Sequence, residues 1–212
     1  MTVNDHRLAE LALAANGLVN GNHQRRIDHR AVERAAADLL RALGADVDAE
    51  ALEETPRRVA DAYAELLTPQ AFRATTFPND DGYDELIVAR SIPFHSLCMH
   101  HLLPVHGVAH IGYLPGERII GLSKLGRVVE YFSRDLQIQE RLTTQVAGWL
   151  QRELEPKGVG VVLEAEHLCM SLRGVQKLGA KTVTSALRGV VRDDARTRQE
   201  FLALTTRTSH DQ

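Results

Sequence analysis

The chain has 212 residues, an apolar fraction of 44%, and 25 Lys and Arg against 28 Asp and Glu, for a formal net charge of −3. That is enough for one domain with an appendage and a real core, and the dispersed basic residues leave no positive field for nucleic acid as a partner. No apolar run reaches the length of a membrane span, and the N-terminus breaks its short apolar stretches with Asp5, His6, Arg7 and Glu10, so no signal core or membrane partner is expected and the reading is cytoplasmic.

Residues 1–28 carry Asn16-Gly17 and Asn20-Gly21-Asn22 and read as an N-terminal arm, with a short helix over Leu8 to Ala15. A helical segment is expected over 29–84. Its first helix has Val32, Ala36, Leu39, Leu40 and Leu43 at helical spacing and stops at Gly44. Its second starts at Thr55 as cap with Pro56 behind it, and runs through Val59, Ala62, Tyr63, Leu66 and Leu67 to Thr68-Pro69. A Pro-, Asn-, Asp- and Gly-containing loop from Phe77 to Tyr83 separates this part from a domain over 85–212. There, Leu86 to Leu97 and Val105 to Leu114 read as strands. Ser123 is read as the cap of a helix bearing Leu125, Val128, Val129 and Phe132, and a second helix covers Gln139 to Leu154. Strands follow at about 159–170 and 181–192, and Asp193 or Asp194 starts a final helix with Phe201 and Leu202. Strand, strand, helix, helix, strand, strand is an α+β order: a four-stranded antiparallel sheet with two helices on one face. The open edges of such a sheet predict an oligomer.

The chemistry concentrates in two short strings. Cys98 and His101 sit three apart in Cys98-Met99-His100-His101, a spacing that suits a turn converging on one ion. Cys169, the only other cysteine, closes His167-Leu168-Cys169. Either string alone reads more plainly as a buried cysteine beside unrelated histidines. Together, two thiolates and an imidazole make a three-ligand zinc set with a position left for water. A gap of two on a strand would put His167 on the same face as Cys169. His100 would lie beside the metal without binding it. His106 and His110, four apart on one strand face, are read as solvated or inter-strand histidines, and His95 has no assigned role.

These strings resemble GTP cyclohydrolase I from about Glu53 to about Leu204. The resemblance also rests on His110-Ile111-Gly112-Tyr113-Leu114-Pro115, Gly121-Leu122-Ser123-Lys124, Gln137-Ile138-Gln139-Glu140-Arg141-Leu142-Thr143 and Lys181-Thr182-Val183-Thr184-Ser185. It implies the T-fold and a zinc-dependent hydrolase converting GTP and water to 7,8-dihydroneopterin triphosphate and formate, the first step of pterin and tetrahydrofolate synthesis. A homodecamer with active sites at subunit interfaces is implied as well. Met99 stands where the family usually has Glu, which removes a carboxylate beside the metal ligands and leaves all three intact.

The resemblance implies zinc on Cys98, His101 and Cys169, where it would lower the pKa of a water molecule. His167 and His100 are the implied acid–base residues, His167 at guanine N7 and His100 at the ribose. Gln139 and Glu140 match the family's guanine-binding pair. A carboxylate fits the N1–H and N2–H donors of guanine, which adenine lacks. Lys124, Arg127 and Arg173 match triphosphate contacts; Ser123 would touch ribose or phosphate, and Arg58, next to Arg57, would reach the triphosphate from a neighbouring subunit. Without the resemblance, Glu140 reads as a first-turn helix acid and the basic residues as solvated faces. Three other readings stay open: a paralogue serving a 7-deazapurine pathway, a T-fold reductase using a nucleophilic cysteine, and a non-catalytic scaffold with structural zinc.

Overall fold

The computed structural model describes residues 26–206. The expected arm over 1–28, with its helix over Leu8 to Ala15, lies outside these residues apart from 26–28. The described residues divide into two compact units between Pro69 and Gln70.

The first unit is a helix pair, α1 (His29–Ala42) and α2 (Thr55–Leu66). Asp28 caps α1 by accepting the Ala31 N–H at 3.0 Å. The helix closes as expected at Gly44, whose φ of 85° is a conformation that glycine adopts without strain. Pro56 sits in the first turn of α2, but Thr55 is already helical and Glu54 occupies the cap position without a side-chain bond. The two helices are tied by His29 Nε2 on Asp61 Oδ1 at 2.7 Å.

The second unit holds β1 (Thr76–Pro78), β2 (Ile87–Cys98), β3 (Pro104–Leu114), β4 (Arg118–Ile120), α3 (Leu122–Ser133), β5 (Leu136–Gln137), α4 (Gln139–Leu154), β6 (Gly158–His167), α5 (Leu168–Ser171), β7 (Lys181–Gly189), α6 (Val190–Asp193) and α7 (Ala195–Thr206). The long strands β2, β3, β6 and β7 form the expected antiparallel sheet. Two small additions went unread in the sequence: β5 pairs parallel with the end of β2, and β1 pairs with β4 in a separate ribbon. These strands are only two or three residues long, too short for an alternation pattern to register.

Helices α3 and α4 cover one face of the sheet. Leu125, Val128, Val129, Leu142, Val146 and Leu150 pack against Ala109, Ile111, Val161 and Leu163 in a single buried cluster. Each large side chain so buried stabilises by about 1.5–3 kcal/mol. Helix α3 begins at Leu122 with Gly121 in the cap position, so Ser123 lies in the first turn and makes no cap bond.

The two helices enter from opposite ends of the sheet. Ile120, just before α3, donates its N–H to the Tyr113 hydroxyl at 3.2 Å, and Tyr113 pairs with Ile87 and Val159. The α3 C-terminus meets the other end, where Gln137 Nε2 bonds the Phe132 carbonyl at 2.7 Å and Ser96 Oγ the Asp135 carbonyl at 3.1 Å. Helix α4 starts at that same end, with Gln139 bonded to the Leu163 carbonyl.

Two strand ends differ from expectation. β6 stops at His167 and curls into the short helix α5, because the Ser171 hydroxyl and the Gly179 N–H both bond Glu166 Oε1, at 2.5 and 3.1 Å. β7 stops at Gly189, whose φ of 54° turns the chain into α6; a Cβ there would collide with the Lys157 carbonyl. Asp194 starts α7 as expected by accepting the Thr197 N–H at 2.8 Å.

Candidate active site

The β2–β3 connection is a tight turn. Cys98 ends β2, its N–H bonds the Leu103 carbonyl at 2.9 Å, and its own carbonyl accepts from Leu102 at 2.8 Å and His101 at 3.3 Å. Leu102 takes a positive φ of 57° to close it. The Met99 N–H is held on the Gln137 carbonyl of β5 at 3.1 Å. Cys98 and His101 are thereby folded back on each other, as their spacing predicted. The α5 turn delivers Cys169 from the other side.

Cys98 Sγ lies 3.6 Å from His101 Nδ1 and 3.9 Å from Cys169 Sγ, and the three ligand atoms all lie within 4.8 Å of one another. Ligand atoms on a tetrahedral zinc stand about 3.8 Å apart for two thiolates and about 3.6 Å apart for a thiolate and an imidazole, given bonds of about 2.3 and 2.0–2.1 Å. The donor set suits zinc, and the two separations from Cys98 match those values. Both cysteines are free thiols. Burial and the adjacent Cys98 push the Cys169 thiol up, while Arg173 pulls it down. A bound divalent cation would reverse that push on Cys169 and favour its thiolate. Arg173 is close enough to be felt at Cys169.

His100 stands next to the cluster, its Nδ1 3.9 Å from Cys98 Sγ and its ring 6.2 Å from that of His101. His167 is reached differently from the expected route. It ends a strand while Cys169 sits on a helical turn, so their proximity comes from the curl at α5 and not from a shared strand face. The His167 ring turns toward α4, where its Nε2 meets Gln139 Oε1 at 2.8 Å. Burial lowers its pKa below the ordinary histidine value, and the Glu140 charge opposes that shift. Glu140 itself is exposed in the first turn of α4.

Gln139, expected against the base, is buried, with 4% of its surface exposed. Its amide is engaged inside the fold, as the donor to the Leu163 and Thr182 carbonyls and as the acceptor for His167. Glu166 was not singled out in the sequence, yet its bonds to Ser171 and Gly179 shape the turn that presents Cys169. An acid on an alternating strand reads as a solvent-facing residue, so no local signal marked it.

The remaining expected residues are elsewhere. Ser123, Lys124 and Arg127 lie in the first half of α3, at the opposite end of the sheet. A Cβ on Gly126 would lie 4.0 Å from the Ile92 side chain, and the strand from Ile92 to Cys98 covers roughly 20 Å at about 3.3 Å per residue. Arg58 belongs to the first unit, exposed on α2. Its neighbour Arg57 is held by Glu54 at 2.6 Å and Asp61 at 2.9 Å. No helix among the described residues is long and apolar enough to cross a membrane.

Residues 32–206 match the family model for GTP cyclohydrolase I. The chain is 51% identical to GTP cyclohydrolase 1 of Aquifex aeolicus over 84% of its own length and 97% of that protein. It is 50% identical to GTP cyclohydrolase 1 of Mycobacteroides abscessus over 85% of this chain and 91% of the other. For GTP cyclohydrolase 1 of Streptomyces avermitilis the identity is 52%, over 84% and 90%. Among solved structures, the apo archaeosine synthase QueF-Like is similar over 50% of this chain and 94% of that chain, with 13% identity and a TM-score of 0.42.

Proposed function

The chain belongs to the GTP cyclohydrolase I family, enzymes that convert GTP and water to 7,8-dihydroneopterin triphosphate and formate, and we propose that it performs this conversion in the cytoplasm with zinc held by Cys98, His101 and Cys169. The observation that carries the assignment is the convergence of those three ligand atoms within 4.8 Å, with His100 beside Cys98 and His167 under the influence of Glu140. What zinc supplies at a three-ligand site is acidification of water near neutral pH.

The other steps fall to side chains. Glu140 accepts the N1–H and N2–H of guanine and so selects it over adenine. His167, as the imidazolium, gives the proton on its substrate-facing nitrogen to guanine N7, which makes C8 electrophilic; its lowered pKa favours that release. His100 serves the ribose during ring opening and rearrangement. Lys124, Arg127 and Arg173 take the triphosphate, with Ser123 at ribose or phosphate. Arg58 reaches the triphosphate from a neighbouring subunit; with Arg57 engaged by two carboxylates, Arg58 is the better candidate of the two.

The separation of Lys124 and Arg127 from the metal ligands implies that a complete site joins the ligand end of one subunit to the α3 end of another. This is in keeping with sites at subunit interfaces, and the decamer is what the family resemblance implies. The test begins with purified protein, GTP and pterin fluorescence after oxidation, alongside metal analysis. About one zinc per chain is expected, and Cys169→Ser should lose zinc and turnover together. Full zinc in Cys169→Ser would remove that ligand, and absence of turnover in the zinc-loaded parent would overturn the activity.

A further inference from the structure

Gln139 is a buried amide whose every hydrogen-bonding atom has a protein partner at the site. Its Nε2 donates to the Thr182 carbonyl at 2.9 Å and to the Leu163 carbonyl at 3.2 Å. Those two contacts use both amide hydrogens and fix the amide's orientation. Exchanging oxygen and nitrogen would aim a carbonyl at two carbonyls and leave all three without donors. The oxygen must therefore be the atom that faces His167 Nε2 at 2.8 Å, and an amide oxygen only accepts. His167 consequently carries hydrogen on Nε2. Its Nδ1 has no protein hydrogen-bond partner among the described residues.

The amide is held rigidly enough to impose this. Thr143 Oγ1 bonds the Gln139 carbonyl at 2.7 Å and Thr184 Oγ1 at 2.7 Å, pinning the first turn of α4 to β7. The carbonyls Gln139 grips belong to β6 and β7, the sheet pair that ends at His167. Sheet, helix and imidazole are thus joined through one side chain.

We infer that Gln139 is a positioning residue for His167: it holds the imidazole as the Nε2–H tautomer and leaves Nδ1 as the nitrogen that meets the substrate. This rests on the reading of His167 as the residue that serves guanine N7. It departs from a base-contact role for the Gln139 side chain. A third role, a purely structural strut between α4 and the sheet, is separable by experiment.

The test combines a spectroscopic and a kinetic readout on the full-length, zinc-loaded protein. Solid-state NMR of protein carrying ¹⁵N-histidine, with His167→Ala to assign the signals by difference, reads the tautomer directly. The parent should show a protonated Nε2 and an unprotonated Nδ1 in the neutral ring, and Gln139→Met should show mixed tautomers. In Gln139→Met, kcat should fall on the order of 10–100-fold, the usual cost of losing a histidine's orienting partner, with KM for GTP and zinc content held. A neutral Nδ1–H ring in the parent would overturn the inference. So would a Gln139→Met enzyme with unchanged kcat, which marks a strut, or with raised KM and unchanged kcat, which marks a base contact. If Gln139→Met fails to fold, the parent spectrum still decides the tautomer. Turnover by His167→Ala at the parent's rate would instead sink the role of His167 itself, leaving the tautomer to stand or fall on the spectrum.

Discussion

Glu140 illustrates how one residue carries two readings that only a partner can separate. On the chain it is an exposed acid in the first turn of α4, where the helix dipole favours it in any protein. Its charge also opposes the lowering of the His167 pKa that burial imposes. If it grips guanine, Glu140→Gln replaces one acceptor of a bidentate pair with a donor facing a donor. That mismatch costs about 1–3 kcal/mol, so GTP affinity measured by calorimetry should fall roughly five- to more than a hundredfold. Unchanged affinity would leave Glu140 as a helix-start acid. Residue identity and spacing were enough to single out Cys98, His101 and Cys169 as a three-ligand set, and the structure brings their ligand atoms within 4.8 Å of one another. The partners of Gln139 were not legible. They depend on which way a buried amide turns between two strands more than twenty residues away in sequence.

At the scale of elements, alternation and helical spacing located the long strands and the helices, and two glycines show where that pattern stops informing. Gly112 and Gly160 face each other across β3 and β6, and the fully buried ring of Phe201 from α7 lies against both. A strand glycine signals close approach without naming what approaches. A Cβ on Gly160 would come within 2.5 Å of that ring, so Gly160→Ala should lower stability by about 1–3 kcal/mol in denaturant titrations. Zinc content should hold, since the metal ligands lie at the far end of these strands.

A second irregularity sits in β2, where the register shifts between Ala89 and Ile92, and Ser91, at a φ of 54°, donates its N–H to His110 Nδ1 at 3.4 Å. That bond needs a neutral ring. Burial lowers the His110 pKa, as does Arg90, while Glu164 opposes them. The unfolded chain then binds the proton first, so stability rises with pH below about 6.5 and is lost as acid carries the protein down toward the folded-state pKa. In His110→Gln, which keeps an acceptor but cannot titrate, the fall in Tm between about pH 6.5 and 5 should be shallower. Parallel Tm–pH curves for the two proteins would show that His110 binds its proton equally well folded and unfolded, and would remove the bulge as a source of pH dependence.

Across the whole molecule, the decisive fact is a distance along the sheet. The ligands Cys98, His101 and Cys169 cluster where β2 and β6 end, while Ser123, Lys124 and Arg127 belong to a helix that starts at the other end. No side chain spans a gap of roughly 20 Å, the run of strand between Ile92 and Cys98. If one GTP takes its metal end from one copy and its phosphate contacts from another, β7, at an edge of the sheet, offers an open side for pairing. This predicts complementation between two inactive variants. Cys169→Ser lacks a metal ligand, and Lys124→Ala lacks a phosphate contact; each should turn over GTP poorly alone. Co-expressed and assembled at random, a site drawing its ligand half from one copy and its basic half from another finds both intact in roughly a quarter of cases, so about a quarter of parental activity should return. The two proteins mixed only after assembly should stay inactive until dissociated and reassembled. A site completed within one chain gives no recovery under either protocol, because every Cys169→Ser chain lacks zinc and every Lys124→Ala chain lacks its own lysine.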